Sequence, residues 1–336
     1  MAKKLEKVTE EMWVLCNKFN KEMADEFINM SDELSDETKP QYKSGIKIWI
    51  NWIRENCSNK SIIDIKTMDY KKYQSWLYNQ GLGESAIRFK RSCVSTLNNY
   101  ILLYYESNYP TFKNFVTKGI KVPTLGEVYD KAPLNPKEYI YLCDELERLE
   151  EWEKLAYVKF TYSTGCRRAE SIQLLKEVVD YESVDKTVKV KDEAGNTSEM
   201  EISTYKTHSI RCKGKSKLGV IRKLQFDQEA MDAILKWLEI RGEDNCLYVF
   251  AKMSDGKMVQ RDKTSFNYWA STLFTKIIGR RVHCHLFRES RATNLVVHSG
   301  RSLEAAKSLL GHRSSATTQI YVIRDDSDDA DEAFVD

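Results

Sequence analysis

The stretch HLFRESRATNLVVHSGRSLEAAKSLLGHRSSATTQIY, residues 285–321, decides how the rest of the chain is read. Its apolar residues Leu295, Val296, Leu303, Ala306, Leu309 and Leu310 recur near i, i+3, i+4 and i+7, the spacing of amphipathic helices. Gly300 and Gly311 mark the breaks, because glycine commonly follows a last helical turn. Polar residues punctuate this frame in a fixed order: His285-x-x-Arg288, then Gly311-His312, then Tyr321. A single histidine or tyrosine would say little. The ordered set predicts helices that carry chemistry.

Working outward, 336 residues suffice for two ordinary domains, each with its own core. A hydrophobic share of 42% with 30% charged residues describes a soluble globular chain. No apolar run approaches the roughly 18–20 residues of a membrane span, and no secretory signal opens the chain. The eight cysteines are scattered without a C-x-x-C pair, so they read as reduced thiols of a cytoplasmic protein, not as a zinc site or disulfide framework. Charge is segregated. Residues 1–37 carry 5 bases against 10 acids, 40–123 carry 13 against 5, 206–324 carry 22 against 10, and 325–336 carry seven acids and no base. Two basic blocks between acidic ends predict a polyanionic partner, against the plainer reading of solvated lysine faces.

The spacing predicts helices over residues 5–34, 39–55 and 68–79, with Asp36 or Thr38 capping the second. A long helix, capped by Ser85, is expected to run to about Tyr105. Residues 1–37 form an acidic helical extension and 38–122 a helical DNA-binding domain. Lys71, Lys72, Arg88, Lys90 and Arg91 are expected at its exposed positions. Pro110, Pro123, Pro133 and Pro136 cluster around an extended connection, placed as a linker at 123–132. Asn135, Pro136 and Glu138 then form a helix start with cap, first-turn proline and reciprocal carboxylate. Short alternating runs at 178–181, 188–190, 200–203, 209–212 and 219–224 predict one small antiparallel sheet, and helices resume at 227–241 and 263–278. The second domain spans 133–324, and the acidic tail 325–336 follows.

A site holding Arg, Lys, His and Tyr suits attack of a phenol on a phosphodiester. Arginines grip phosphate oxygens bidentately, and a lysine can give a proton to the leaving oxygen. A phenol needs a base or nearby positive charge to become a nucleophile. No metal-ligand cluster or cofactor motif appears, so side chains must supply the cations.

Thr164-Gly165-Cys166-Arg167-Arg168-Ala169-Glu170 resembles the T-G-x-R-x-x-E box of the tyrosine recombinases, or phage-type integrases. The run from Cys212 to Lys217 resembles their G-K-G-x-K hairpin, with Cys212 where glycine is usual. His285-Leu286-Phe287-Arg288 resembles H-x-L-R, with Phe287 for leucine; Leu309-Leu310-Gly311-His312 resembles L-L-G-H. The segment 317–321 resembles the one that ends in the family's nucleophile. The boxes keep the family's order over about 131–323. The resemblance implies a mainly α fold, with a helical core-binding domain and a mixed α+β catalytic domain holding a small antiparallel sheet.

By position, the resemblance makes Tyr321 the nucleophile, has Arg167 and Arg288 hold the phosphate, and makes Lys213 the general acid. His285 and His312 then assist proton transfer, and Glu170 orients Arg167. Arg168 competes with Arg167 but misses the box register, while Lys215, Lys217 and Arg291 read as DNA-backbone contacts. His208, His283 and His298 fall outside the boxes. The expected function is a site-specific DNA recombinase working through a 3′-phosphotyrosyl link, without cofactor, as a homotetramer on specific double-stranded DNA sites. It would act in the cytoplasm, on the nucleoid when DNA-bound. Accessory proteins that bend DNA or bias direction are candidate partners; a membrane is not. A Xer-like dimer resolvase, a type IB topoisomerase-like swivelase and a non-catalytic DNA-binding protein of the same fold are the alternatives.

Overall fold

A computed structural model describes residues 5–122, 124, 132–191, 197–214, 219–312, 314–320 and 322. The chain divides into two compact units, Met1–Asp130 and Lys131–Asp336.

The described part of the first unit is helical: α1 (Glu10–Val14), α2 (Lys18–Met30), α3 (Lys39–Asn56), α4 (Thr67–Asn79) and α5 (Glu84–Tyr104). The run expected at 5–34 is two helices, broken because Asn17 leaves helical geometry to cap α2 at Asn20 N. Asn59 locks that break by bonding Asn17 N at 2.8 Å and Leu15 O at 3.0 Å. Trp13, Met23 and Phe27 share one core with Trp49, Ile53 and Leu97, so the acidic helices pack into the first unit. Helix α5 is capped by Gly83 in extended geometry, one residue ahead of its start, not by Ser85.

The second unit opens as expected: Asn135 accepts from Glu138 N at 2.9 Å while the Glu138 carboxylate accepts from Asn135 N at 3.0 Å. Helix α6 (Pro136–Arg148) leads to α7 (Trp152–Thr164), buried on nearly every side. The short α8 (Arg168–Ser171) follows. Around α7 lie α9 (Gln228–Arg241), α10 (Lys263–Trp269), α11 (Thr275–Ile278) and α12 (Leu286–Thr293), joined by a core rich in phenylalanine. Phe287 is fully buried there, edge-on to Tyr157 and Phe274, so the bulkier ring is a packing residue. Helices α13 (Leu303–Leu310) and α14 (Ser315–Gln319) complete the described chain.

Among the described residues, the single predicted sheet is two separate antiparallel pieces. Strands β1 (Val184–Lys191), β2 (Thr197–Lys206) and β5 (Gln225–Phe226) form one, and β3 (Ile210–Cys212) pairs with β4 (Val220–Arg222). Residues 178–180 lie instead in a 3₁₀ turn, Lys176–Asp180, where Val178 is needed in the core. A further hairpin, β6 (Ala251–Ser254) and β7 (Lys257–Gln260), was not expected. Its signal was present: Asp255 and Gly256 both take positive φ, 50° and 74°, the conformation an Asp-Gly hairpin turn needs. Among the described residues no helix is long and apolar enough to cross a membrane.

Candidate active site

Helix α7 ends at Thr164 because Gly165 turns left-handed, φ 59°. A Cβ at Gly165 would stand 2.4 Å from Leu310 Cδ2, so glycine is required both for the turn and for the close approach of α13. The chain then presents Arg167 at the start of α8. Glu170 reaches back to accept from Arg167 N at 3.0 Å and from Arg167 Nη1 at 3.1 Å. Burial pushes the Glu170 carboxyl up, but the Arg167 N–H and the Arg167 and Arg222 guanidinium groups outweigh it and hold it below the usual range. A carboxylate ionised near pH 7, 1% exposed, therefore fixes the arginine that remains nearly one-third open to solvent.

Arg288, on α12, is completely buried. It donates to Gly165 O at 2.5 Å, to Leu310 O at 2.8 Å and to His312 Nε2 at 2.7 Å. A guanidinium cannot accept, so His312 Nε2 is the acceptor and the imidazole proton sits on Nδ1. That N–H donates to Thr318 Oγ1 at 2.9 Å, and Thr318 is itself fully buried on α14. Burial, then the charges of Arg288, Arg167 and Arg222, pull His312 down to about 4. Burial, then Arg288 and Arg167, do the same to His285, also to about 4. Both rings are neutral near pH 7, so the 4.0 Å approach of His285 Nε2 to Glu289 is no ion pair there.

Lys213 leaves the end of β3 exposed to solvent. It lines an open cleft of about 660 Å³ with Arg167, Arg222, Lys307, Gly311 and His312. Just before β4 the chain passes close to β3: a Cβ on Gly219, φ 73°, would fall 2.3 Å from Cys212 O. Sequence reasoning missed Arg222. Its Nη2 meets Glu170 Oε2 at 3.4 Å, its Nη1 donates to Leu309 O at 3.1 Å, and its Nε donates to Cys212 Sγ at 3.2 Å. The cysteine in place of glycine is thus a partner to this arginine, and Gly311 leaves the space the guanidinium occupies. Thr318 was also missed; its only sequence signal is its place six residues after His312.

The structure brings Arg167, Lys213, His285, Arg288, His312 and Glu170 into one neighbourhood. Tyr321, Lys215 and Lys217 lie outside the described residues. Val322, beside Tyr321 in sequence, is buried with Ala292 and Leu310. In the first unit Lys71, Lys72 and Arg88 are exposed, Arg88 pairing with Glu84 at 2.6 Å. Lys90 and Arg91, expected to be exposed, are half-buried. Burial holds the Lys90 ammonium below its ordinary value, and Arg91 donates to Thr117 O at 2.5 Å and to Ile120 O. Arg91 is spent bracing the segment after α5. Arg291 is likewise half-buried, stacked 5.4 Å over the Tyr162 ring, because α12 turns that face inward. Arg168 does not line the cleft; its Nη1 is buried. His283 Nδ1 accepts from Leu286 N at 3.1 Å, a capping task at the start of α12.

Residues 133–328 match the model of the phage integrase family. The SPbeta prophage-derived recombinase-like protein YomM of Bacillus subtilis is 29% identical over 339 residues, 99% of this chain and 96% of that protein. Tyrosine recombinase XerC of Oceanobacillus iheyensis is 23% identical, covering 88% of each. Among solved structures, the Tn1549 transposon integrase in complex with transposon right end DNA superposes with a TM-score of 0.66 at 14% identity, over 94% of this chain and 99% of that one. A lambda integrase dimer bound to a core site gives 0.58 at 16%, over 88% and 96%. Those two likenesses carry the fold alone. With the family model matching more than half its length, the chain belongs to the phage integrase family, the tyrosine-type site-specific recombinases.

Proposed function

We propose that this protein cuts and rejoins duplex DNA at specific sites through a 3′-phosphotyrosyl intermediate made by Tyr321. Arg167 and Arg288 hold the non-bridging oxygens of the scissile phosphate. The Tyr321 oxygen attacks phosphorus as its proton passes to neutral His285, the bond from phosphorus to the 5′-oxygen breaks, and Lys213 gives that oxygen its proton. Rejoining reverses each step, so the phosphodiester energy is kept and no nucleotide cofactor is consumed. The observation that carries this reading is one cleft lined by Arg167, Lys213 and His312, with His312 bonded to the buried Arg288. Preorganised cations there match the charge that grows on a pentacoordinate phosphorus. His285 and His312 are neutral in the free site and become donors to the phosphate only on gaining a proton, which its charge favours by offsetting the arginines.

The biological use we propose is integration and excision of a mobile element by a homotetramer, with Lys71, Lys72 and Arg88 on the DNA backbone. The prophage-derived relative, aligned over nearly the whole chain, supports it. The XerC alignment supports a second use of the same chemistry, resolution of replicon dimers. The test is a nicked suicide duplex built from the DNA that flanks the gene. Wild type forms a covalent 3′ adduct and Tyr321→Phe forms none; an adduct that survives in Tyr321→Phe overturns the assignment.

A further inference from the structure

Helix α8 bears the arginine box, and the hairpin β3–β4 bears Lys213. Strands of three residues in a two-stranded sheet are marginal alone, so something else must hold this hairpin in place. Gln173, three residues beyond Glu170, does so. Its Oε1 accepts from Arg211 N at 3.1 Å and its Nε2 donates to Arg211 O at 2.9 Å. One carboxamide takes both backbone groups of one strand residue, as a neighbouring strand would. The same Nε2 donates to Ala169 O at 2.6 Å, between Arg167 and Glu170.

We infer that Gln173 is a positioning residue for Lys213, standing in for a third strand and fixing the lysine hairpin to the arginine box. Gln173 does not line the cleft. It reaches Lys213 only through Arg211, which lies two residues before Lys213 and pairs in register with Ile221. A strand advances about 3.3 Å per residue, so a slip at Arg211 shifts the start of the lysine side chain by a comparable distance. Displacements of about 1 Å in reacting groups can cost about 100-fold in rate. On the other flank, Arg222 of β4 reaches Glu170 at 3.4 Å, so both sides of the hairpin are tied to α8. Arg222 also carries charge into the cleft, whereas Gln173 is neutral. Its loss therefore isolates position from electrostatics.

The inference rests on Lys213 being the general acid, and the test separates the two. Once wild type has mapped the scissile phosphate, the nicked duplex is made with either oxygen or sulfur as the bridging 5′ atom. A thiolate leaves without a proton, so only the oxygen substrate needs the lysine. Gln173→Met keeps the volume and loses the bonds; Gln173→Ala loses both. Each is expected to cleave the oxygen substrate about 10-fold more slowly. Each should stay near wild type on the sulfur substrate, with DNA affinity and Tm little changed. Lys213→Ala is the reference, slow on oxygen and restored on sulfur. Equal slowing of both substrates by Gln173→Met, or slowing of neither, overturns the positioning role. Failure of sulfur to restore Lys213→Ala removes the general-acid reading and this inference with it.

Discussion

The core of the first unit and the site of the second bury polar groups on opposite terms. Trp49, Trp52, Tyr70 and Tyr73 stack into one aromatic cluster, with Trp49 and Tyr73 centroids 4.7 Å apart. Their indole N–H and hydroxyl groups are buried with no hydrogen-bond partner among the described residues. Arg288, Glu170, His312 and Thr318 are buried too, yet each is bonded to a named partner. Magnitudes explain the difference. A buried aromatic side chain removes roughly 150–250 Å² from water, about 4–6 kcal/mol at about 25 cal/mol per Å², against about 1–3 kcal/mol for an unsatisfied polar tip. The ring wins. For a guanidinium the desolvation penalty exceeds any area term, so its charge must be met by bonded partners.

The largest effect should come from breaking the bonded side. Arg288→Ala strips the donor from Gly165 O, Leu310 O and His312 Nε2 at once. Single-turnover cleavage is expected to fall at least about 1000-fold, with a lower Tm as well. Trp49→Ala is the matching break in the aromatic core. It should cost about 3–5 kcal/mol in denaturant unfolding and leave single-turnover cleavage at saturating DNA within about two-fold. If Arg288→Ala cost only stability, or Trp49→Ala cost chemistry, the two regions would not differ in kind.

The same contrast governs what could be read from the sequence. The arginine, Gly-His and H-x-x-R boxes were legible because each couples a conformational need to a chemical one. Gly165 and Gly311 must turn left-handed where other groups crowd them, and Arg288 must reach two carbonyls. The capping box at Asn135 was legible for the same local reason. Arg222 and Thr318 were not, because their partners lie 52 residues away in Glu170 and six away across a loop in His312. Nothing local distinguishes them from other arginines and threonines. Lys90 and Arg91 misled because α5 winds them back toward the unit, where a guanidinium can bond carbonyls as easily as phosphate. Residues 178–180 read as strand on hydrophobicity, but Val178 meets the core from a 3₁₀ turn.

The histidines supply a sharper test of the bonded side. His285 and His312 sit at about 4 when folded, below the usual value of about 6.5 for a free imidazole. The unfolded chain therefore binds more protons between about pH 6.5 and 4, and stability falls as pH drops through that window. A bound phosphodiester offsets Arg288 and Arg167, the charges that with burial depress both rings, so DNA binding should raise them and take up protons. Calorimetry at pH about 5.5, in buffers of different ionisation enthalpy, should show uptake of a sizeable fraction of a proton by wild type. His312→Asn should take up less. Binding without uptake would mean the phosphate does not reach these cations.

The smallest effect is the most exacting for the aromatic side. Burial first, then Tyr70 and Cys93, drive the Tyr73 hydroxyl well above its ordinary value, and no hydrogen-bond partner meets it among the described residues. Tyr73→Phe keeps the ring against Trp49, Trp52 and Trp76 and removes only the desolvated oxygen. Denaturant unfolding should show no loss, or a gain of up to about 1 kcal/mol. A loss of more than about 1 kcal/mol would mean that the hydroxyl is satisfied in solution. Both regions would then follow one rule, that of the site, in which each buried polar side chain is held by a bonded partner. A neutral or stabilising result leaves the aromatic cluster as packing that outweighs its polar tips, a licence the cations of the site do not have.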